Sequence, residues 1–103
     1  MNSLTRTENQ ALARTVLELE VNNHAGVMSH VVGLFSRRAY NVEAILVMPV
    51  GGGETSRIWL LVNEDDRLEQ MIRQMRKLQD VHDVRVISEA VSVFAQLGKV
   101  MEQ

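Results

Sequence analysis

The order in which two kinds of apolar periodicity follow each other constrains the fold of this chain more than any other feature. Residues 16–21 (VLELEV) alternate apolar and acidic side chains, which is typical of a strand with one buried face. Over residues 27–39 the apolar side chains recur at helical spacing instead and predict a helix. Residues 41–49 are rich in β-branched and long apolar side chains and predict a second strand. Because proline cannot donate a hydrogen bond to a sheet, Pro49 indicates that this strand lies at an edge or ends there.

The second half of the chain repeats this order after a glycine-rich hairpin. Residues 57–62 (RIWLLV) are nearly all apolar, which is typical of a strand in the interior of a sheet. Residues 64–78 begin with three acids, which favour a helix N-terminus, and continue with apolar residues at helical spacing. Residues 81–88 alternate again, with Val84 and Val86 on one side and Arg85 on the other, and predict a fourth strand.

The resulting order, β-α-β-β-α-β over residues 15–88, predicts an α+β domain with the ferredoxin-like arrangement. Right-handed crossovers make each helix-linked pair of strands parallel and leave room for a third strand between them. One four-stranded antiparallel sheet results, with both helices on one face. We expect the other face to be partly apolar, since Val16, Trp59 and Leu61 belong to it.

Two segments flank this predicted domain. Residues 1–14 are polar with isolated apolar side chains, and we expect a flexible N-terminal arm. Residues 89–103 carry apolar side chains at helical spacing, which predicts a short amphipathic C-terminal helix that packs on its own domain or on a partner. The apolar stripe of this helix includes Val93, Phe94, Leu97 and Met101.

Length and composition disfavour several classes of function. The chain has 103 residues, a formal net charge of −2 and no cysteine. The lack of cysteine excludes disulfides and thiolate chemistry, and the weakly negative charge disfavours nucleic acid as a partner. No apolar stretch approaches the ~20 residues that span a bilayer. We therefore expect a soluble cytoplasmic protein that does not bind membranes, and a homodimer, because a small core and open sheet edges favour a partner subunit.

Residue types that carry catalysis or bind metals are sparse. His24, His30 and His82 fall in a turn, a helix and a strand, without the spacing of a metal site. Ser29 and His30 are adjacent on a helix and point about 100° apart, so they form no dyad. The glycines at 51–53 lack the lysine of a phosphate-binding P-loop and predict a hairpin. The sequence therefore predicts neither a catalytic nor a metal site.

The connection between the first strand and the first helix is the candidate binding site. Residues 22–26 (NNHAG) precede a helix N-terminus, whose unpaired backbone N–H groups and partial positive charge suit a carboxylate or a phosphate. Asn23 is either a helix cap or a ligand contact, and Gly26 relieves a tight turn. The residue types alone leave both roles of Asn23 open.

A longer stretch around this connection resembles a known family. Asn23 and Gly26 precede a helix that contains VGLFSRR at 32–38, and residues 40–43 read YNVE. This combination, with the RIWLLVN strand and the helix after it, resembles the ACT domain of the small regulatory subunit of bacterial acetohydroxyacid synthase (acetolactate synthase), in its short single-domain form. The likeness covers the predicted domain. Ala39 departs from the family pattern, since many members carry glycine there.

The resemblance implies a non-catalytic protein that binds a branched-chain amino acid, usually valine, between the two chains of a homodimer. Such a protein activates a larger catalytic subunit and transmits feedback inhibition to it in branched-chain amino-acid biosynthesis. The loop residues would hold the effector carboxylate, and Asn41 would face it from the second chain. The implied effector site consists of Asn23, His24, Ala25, Gly26, Val27 and Asn41.

The resemblance implies no cofactor in this chain, and the catalytic partner would carry thiamine diphosphate, Mg²⁺ and FAD. Two other classes share the strand order. An acylphosphatase-like enzyme needs an arginine in the first β-α loop, and residues 22–26 contain none. An RNA-binding module needs aromatic residues on the open face and a basic surface, whereas Trp59 is the one aromatic residue of the two predicted central strands. A free-standing ACT-domain sensor with a different partner is the nearer alternative.

Overall fold

The computed structural model describes residues 13–23 and 26–102, and its elements follow the predicted order. Within these ranges the chain forms strands β1 to β4, helices α1 to α3 and a single 3-10 turn. The elements are β1 (Arg14–Asn22), α1 (Val27–Arg37), β2 (Val42–Val50), β3 (Thr55–Asn63), α2 (Leu68–Arg76), β4 (Val81–Val86), the 3-10 turn (Ser88–Ala90) and α3 (Val91–Met101). The predicted α+β class is confirmed. The predicted N-terminal arm lies outside the described residues as far as residue 12, and β1 begins one residue before the predicted start of the domain.

The strands form one antiparallel sheet in the order β2-β3-β1-β4. The nearly all-apolar β3 is an interior strand, and β2 with Pro49 is an edge strand, as the sequence predicts. Each helix crosses one intervening strand, which is the double split β-α-β arrangement. Strands β2 and β4 are therefore the two edges of the sheet.

The main core lies between the sheet and helices α1 and α2. Strand alternation turns the apolar residues of β1 and β3 to this side, and the helices contribute their apolar stripes. Its side chains with 0% exposure are Leu17, Leu19, Val31, Ile58, Leu60, Val62, Met75 and Val84.

The C-terminal helix covers part of the opposite face of the sheet. Phe94 and Ala90 are buried there against Val16 and Leu61, and the ring of Phe94 lies 6.4 Å from that of Trp59 between centroids. Packing on its own domain, one of the two predicted outcomes, is thus confirmed for this helix. The outward side of α3 stays apolar, with Val93, Leu97, Val100 and Met101 exposed.

Three element boundaries differ from the sequence prediction. Helix α2 begins at Leu68 rather than at residue 64, because the Asp65 carboxylate accepts the Arg67 N–H at 2.8 Å and closes a turn there. Helix α1 ends at Arg37, since Ala39 adopts a left-handed backbone with φ of 52°. Strand β4 ends at Val86 rather than at residue 88. Val86 pairs with Leu17 on the same face of the sheet as Val84, but at the end of the strand its side chain is 47% exposed.

No helix among residues 13–23 and 26–102 has the length and apolar character needed to cross a membrane.

Candidate functional site

The predicted effector site begins at the connection between β1 and α1. Gly26 occupies the position before the first helical residue and has φ of 98°, a left-handed conformation that L side chains rarely adopt. Its carbonyl accepts the N–H of His30 at 3.0 Å, which starts the helical hydrogen-bond ladder. Glycine is therefore required by the backbone at this position. The predicted site residues His24 and Ala25 lie outside the described residues.

Asn23 contacts the β2–β3 hairpin and does not cap the helix. Its Nδ2 donates to the Gly53 carbonyl at 2.7 Å, and its backbone N–H donates to the Glu54 carbonyl at 3.0 Å. The cap position belongs to Gly26, which has no side chain to offer. The capping role that the sequence left open is thus wrong, and the side chain of Asn23 fastens this connection to the hairpin.

The N-terminus of α1 lacks a compensating negative charge of its own. Among the residues that the structure describes, no acidic side chain stands in the first turn of α1 and no side chain caps it. The backbone N–H groups and the positive end of the helix dipole are therefore left for water or a ligand. This arrangement suits a carboxylate, because the N–H donors and the positive end of the helix dipole lie at the same place.

Asn41 lies at the other end of the sheet from Asn23. It directly precedes β2, whose first residue pairs with Val62, while the last pairs with Thr55 beside Asn22. A strand of nine residues spans about 27–30 Å. One protomer therefore does not bring Asn23 and Asn41 together.

Tyr40 holds the start of β2 in place. Its ring meets Phe35 edge-on at 5.7 Å between centroids, and its hydroxyl donates to the carbonyl of Asn63. Burial and the nearby Asp65 carboxylate raise the pKa of Tyr40 to about 12, so the hydroxyl remains a donor at neutral pH. Asn41 follows directly and is exposed to solvent.

The two edge strands differ in the type of side chain that they expose to solvent. Strand β2 exposes Ile45, Val47 and Met48 by 41, 41 and 55%. Strand β4 exposes mainly polar side chains, namely those of His82, Asp83 and Arg85, together with Val86 at its end. Charged side chains guard an edge against pairing, whereas an apolar edge invites it. Strand β2 is thus the edge that is open to a partner strand.

A buried acid organises the open face of the sheet between β1, β3 and β4. Glu18, with a side chain 10% exposed, accepts hydrogen bonds from Trp59 Nε1 at 3.0 Å and from Arg85, and Arg57 lies 3.9 Å away. Burial by itself raises the pKa of Glu18. The hydrogen bonds from Arg85 and Trp59 and the positive charges of both arginines outweigh it, so the pKa lies below its usual value.

Sequence reasoning did not find a polar cluster behind the same connection. Asn22, at the end of β1, contacts Asp80 and His82, and Asp80 also faces His30. No motif marks these residues, because they are brought together only by the pairing of β1 with β4. No group of three or more potential metal ligands occurs among residues 13–23 and 26–102.

Comparison with known proteins relates the chain to one family. The family described as "AHAS small subunit-like ACT domain" matches residues 17–83. The chain is 56% identical over 78 residues to the acetolactate synthase isozyme 1 small subunit of Escherichia coli K12, covering 76% of this chain and 81% of that one. It is 40% identical over 77 residues to the acetolactate synthase small subunit of Haemophilus influenzae, covering 74% of this chain and 47% of that one.

Comparison with solved structures also relates the chain to an acetolactate synthase small subunit. The acetolactate synthase small subunit of Thermotoga maritima superposes with a TM-score of 0.66 at 33% identity, over 73% of this chain and 47% of that one. The ACT domain from the GTP pyrophosphokinase of Chlorobium tepidum superposes with a TM-score of 0.59 at 18% identity, over 73% of this chain and 85% of that one. The second likeness supports the fold alone. The chain spans about half the length of the H. influenzae and T. maritima proteins.

Proposed function

The chain belongs to the family of ACT domains like that of the acetohydroxyacid synthase small subunit, and on that premise we propose that it binds valine between two copies of itself and regulates the large catalytic subunit of an acetolactate synthase. Its relatives are named as small subunits of this enzyme, and the small subunit is the regulatory one. The catalytic partner carries the thiamine diphosphate, Mg²⁺ and FAD.

The homodimer forms by pairing the two β2 strands. The support is the mostly apolar edge of β2, where Ile45, Val47 and Met48 are exposed, which contrasts with the largely charged edge of β4. A two-fold axis pairs identical strands antiparallel, so the start of one β2 lies beside the end of the other. Asn41 of one chain then lies at the same end of the joined sheet as Asn23 of its partner.

The observation that carries the proposal is this separation of Asn23 and Asn41 within one chain. Both match the family motif, yet they stand at opposite ends of β2 in the protomer. Two-fold pairing of the β2 strands brings Asn23 of one chain to the same end of the sheet as Asn41 of the other. Each dimer then has two such sites where its chains meet. The effector carboxylate binds at the N-terminus of α1 in one chain, and Asn41 of the other chain faces it.

Calorimetry and co-purification test the two halves of this proposal. The purified chain is titrated with valine, isoleucine and leucine, and we expect saturable binding of at least one, with one site per chain. A tagged chain expressed in its native host should bring down a much larger subunit and stimulate its acetolactate synthesis. The chain alone should bind neither thiamine diphosphate nor FAD.

Two results would contradict the proposal. A chain that stays monomeric at tens of micromolar with and without valine has no seam and hence no effector site of this kind. A chain that binds an amino acid but captures a different protein is a sensor with another partner. Lysine serves as the control ligand in the titration, since it shares the α-amino acid group but not the branched apolar side chain.

A further inference from the structure

The end of β1 is fastened to β4 by a side-chain network that the proposed effector contacts do not use. The backbone N–H of Asn22 donates to the Asp80 carbonyl at 2.9 Å, and its Nδ2 donates to Asp80 Oδ1 at 3.1 Å. Its Oδ1 lies 2.6 Å from Nε2 of His82. One residue thus makes three polar contacts with residues that follow it by 58 and 60 positions.

The chemistry of these side chains determines which atom donates and which accepts in each hydrogen bond of the network. The Asp80 carboxylate only accepts, so the amide nitrogen of Asn22 faces it and the amide oxygen faces His82. His82 Nε2 must then carry a proton to donate to that oxygen.

A β-bulge places His82 where it can reach Asn22. Glu20 pairs with Asp83, but the next residue of β1, Val21, pairs with Val81, which leaves His82 as the extra residue of β4. A bulge of this kind redirects the side chain of its extra residue. It also keeps Val81 and Val84 in the core although they are three positions apart.

Asp80 lies beside both ends of the connection between β1 and α1. One carboxylate oxygen accepts from Asn22, the last residue of β1, and the other lies 3.9 Å from Nδ1 of His30 in α1. On the opposite flank, Asn23 is held by the Gly53 and Glu54 carbonyls. The described residues next to the candidate site are therefore held by hydrogen bonds with Asp80 on one side and with the β2–β3 hairpin on the other.

We propose that Asn22 and Asp80 are positioning residues for effector binding, which hold the backbone of Asn23 and the start of α1 in the binding geometry before the effector arrives. The inference rests on the proposed function and adds residues that do not touch the effector. Ordering a loop on binding costs affinity, and fastening it beforehand removes that cost. Loss of the Asn22–Asp80 contact should thus weaken binding while the fold remains.

Exchanging donor and acceptor tests the contact directly. Asn22→Asp places two carboxylates against each other, and we expect valine affinity to fall about tenfold or more. The double variant Asn22→Asp/Asp80→Asn restores one donor and one acceptor, and its affinity should return to within about threefold of the wild type. Calorimetry compares the wild type and both variants under the same buffer conditions. Asp66→Asn, an exposed acid outside the network, is the matched control.

The outcomes separate this inference from the proposed function. Wild-type affinity in Asn22→Asp, or a folded double variant that binds no better than Asn22→Asp, overturns the positioning role. If Asn22→Asp does not fold, Asn22→Ala takes its place, and unchanged affinity in that variant overturns the role equally. If the wild type binds none of the three amino acids, the proposed function fails, and amide hydrogen exchange decides the inference instead. Exchange at Asn22 and Asn23 should then rise in Asn22→Asp and recover in the double variant, with Leu19 unchanged.

Discussion

The indole nitrogen of Trp59 donates to the buried carboxylate of Glu18 at 3.0 Å, directly beside the ring of Phe94. This contact joins three distant parts of the chain on the open face of the sheet. Glu18 orients the indole ring, and the indole ring lies beside Phe94 of helix α3, which also packs against Val16 and Leu61. The charge state of one acid in β1 therefore bears on how firmly the C-terminal helix is held.

Acid should destabilise the protein through Glu18. Its pKa is lower in the folded state than in the unfolded state, so its contribution is fully present above the unfolded pKa, near 4.5, and is lost as the pH falls through the folded pKa. Glu18→Gln should lower the free energy of unfolding by about 1–2 kcal/mol at pH 7 and weaken its further fall below pH 4.5. Urea unfolding at pH 7 and pH 3.5 measures both effects. Glu20→Gln on the same face is the control, and an equal loss there would contradict the assignment.

The two sides of helix α3 should respond differently to substitution. Phe94 is 9% exposed and packs on the sheet, so Phe94→Ala should cost about 2–4 kcal/mol of stability. Leu97 is 39% exposed on the outward side, so Leu97→Asp should change stability by less than about 0.5 kcal/mol. We expect Leu97→Asp to reduce activation of the large subunit if this apolar side contacts it. Unchanged activation in Leu97→Asp, and in a folded chain lacking residues 90–103, would exclude α3 from the contact.

A charge on the open edge of the sheet should dissociate the homodimer. Val47 of β2 and Val86 of β4 are both edge-strand valines, exposed by 41 and 47%. Val47→Glu introduces like charges at the two-fold seam and should give a monomer in sedimentation experiments. Val86→Glu changes the same residue type at the other edge and should remain dimeric. Dissociation by Val86→Glu alone would assign the dimer to β4.

Complementation between chains tests whether the effector site is shared. Asn23→Ala and Asn41→Ala should each weaken valine binding by about 1–3 kcal/mol and abolish feedback inhibition while activation persists. In a heterodimer of the two variants, one site loses both asparagines and the other keeps both. Mixing the variants should therefore restore tight binding in about a quarter of all sites, since half of the dimers are mixed under random exchange. A site built within one chain would show no such recovery.

Replacing Ala39 with glycine should stabilise the protein. Ala39 has φ of 52°, and a non-glycine residue pays about 1–2 kcal/mol for the left-handed conformation. Glycine removes this strain but loses more conformational entropy on folding, which leaves a net gain of about 0.5–1 kcal/mol. Thermal unfolding measures the gain. Gly98→Ala in α3, where no atom lies within 4 Å of the added carbon, is a matched exchange in the opposite direction and should stabilise by a similar amount.

Local patterns in the sequence were sufficient for the order of the elements and for the layers of the fold. Alternation in residues 16–21 predicted which side of β1 faces the main core, although Val16 and Glu18 on the other side are buried as well. The apolar run of residues 57–62 predicted an interior strand. Pro49 indicated the edge position of β2. Each of these signals depends on the direction of neighbouring side chains along one element, which is a property of the local backbone.

The contacts of the candidate site were decided by tertiary structure. Asn23 could equally cap a helix or bind a ligand in the sequence, and its hydrogen bond to Gly53 required the hairpin to lie beside it. The network of Asn22, Asp80 and His82 depends on the pairing of β1 with β4 and on a bulge that breaks the alternation of β4. A one-residue change of register would turn each side chain to the other face, so periodicity within one strand carries no information about its partners. The sequence by itself therefore determined the order of the elements and the faces that form the main core. The tertiary structure decided which polar groups meet and which further side chains are buried, because register and bulges depend on packing over the whole sheet.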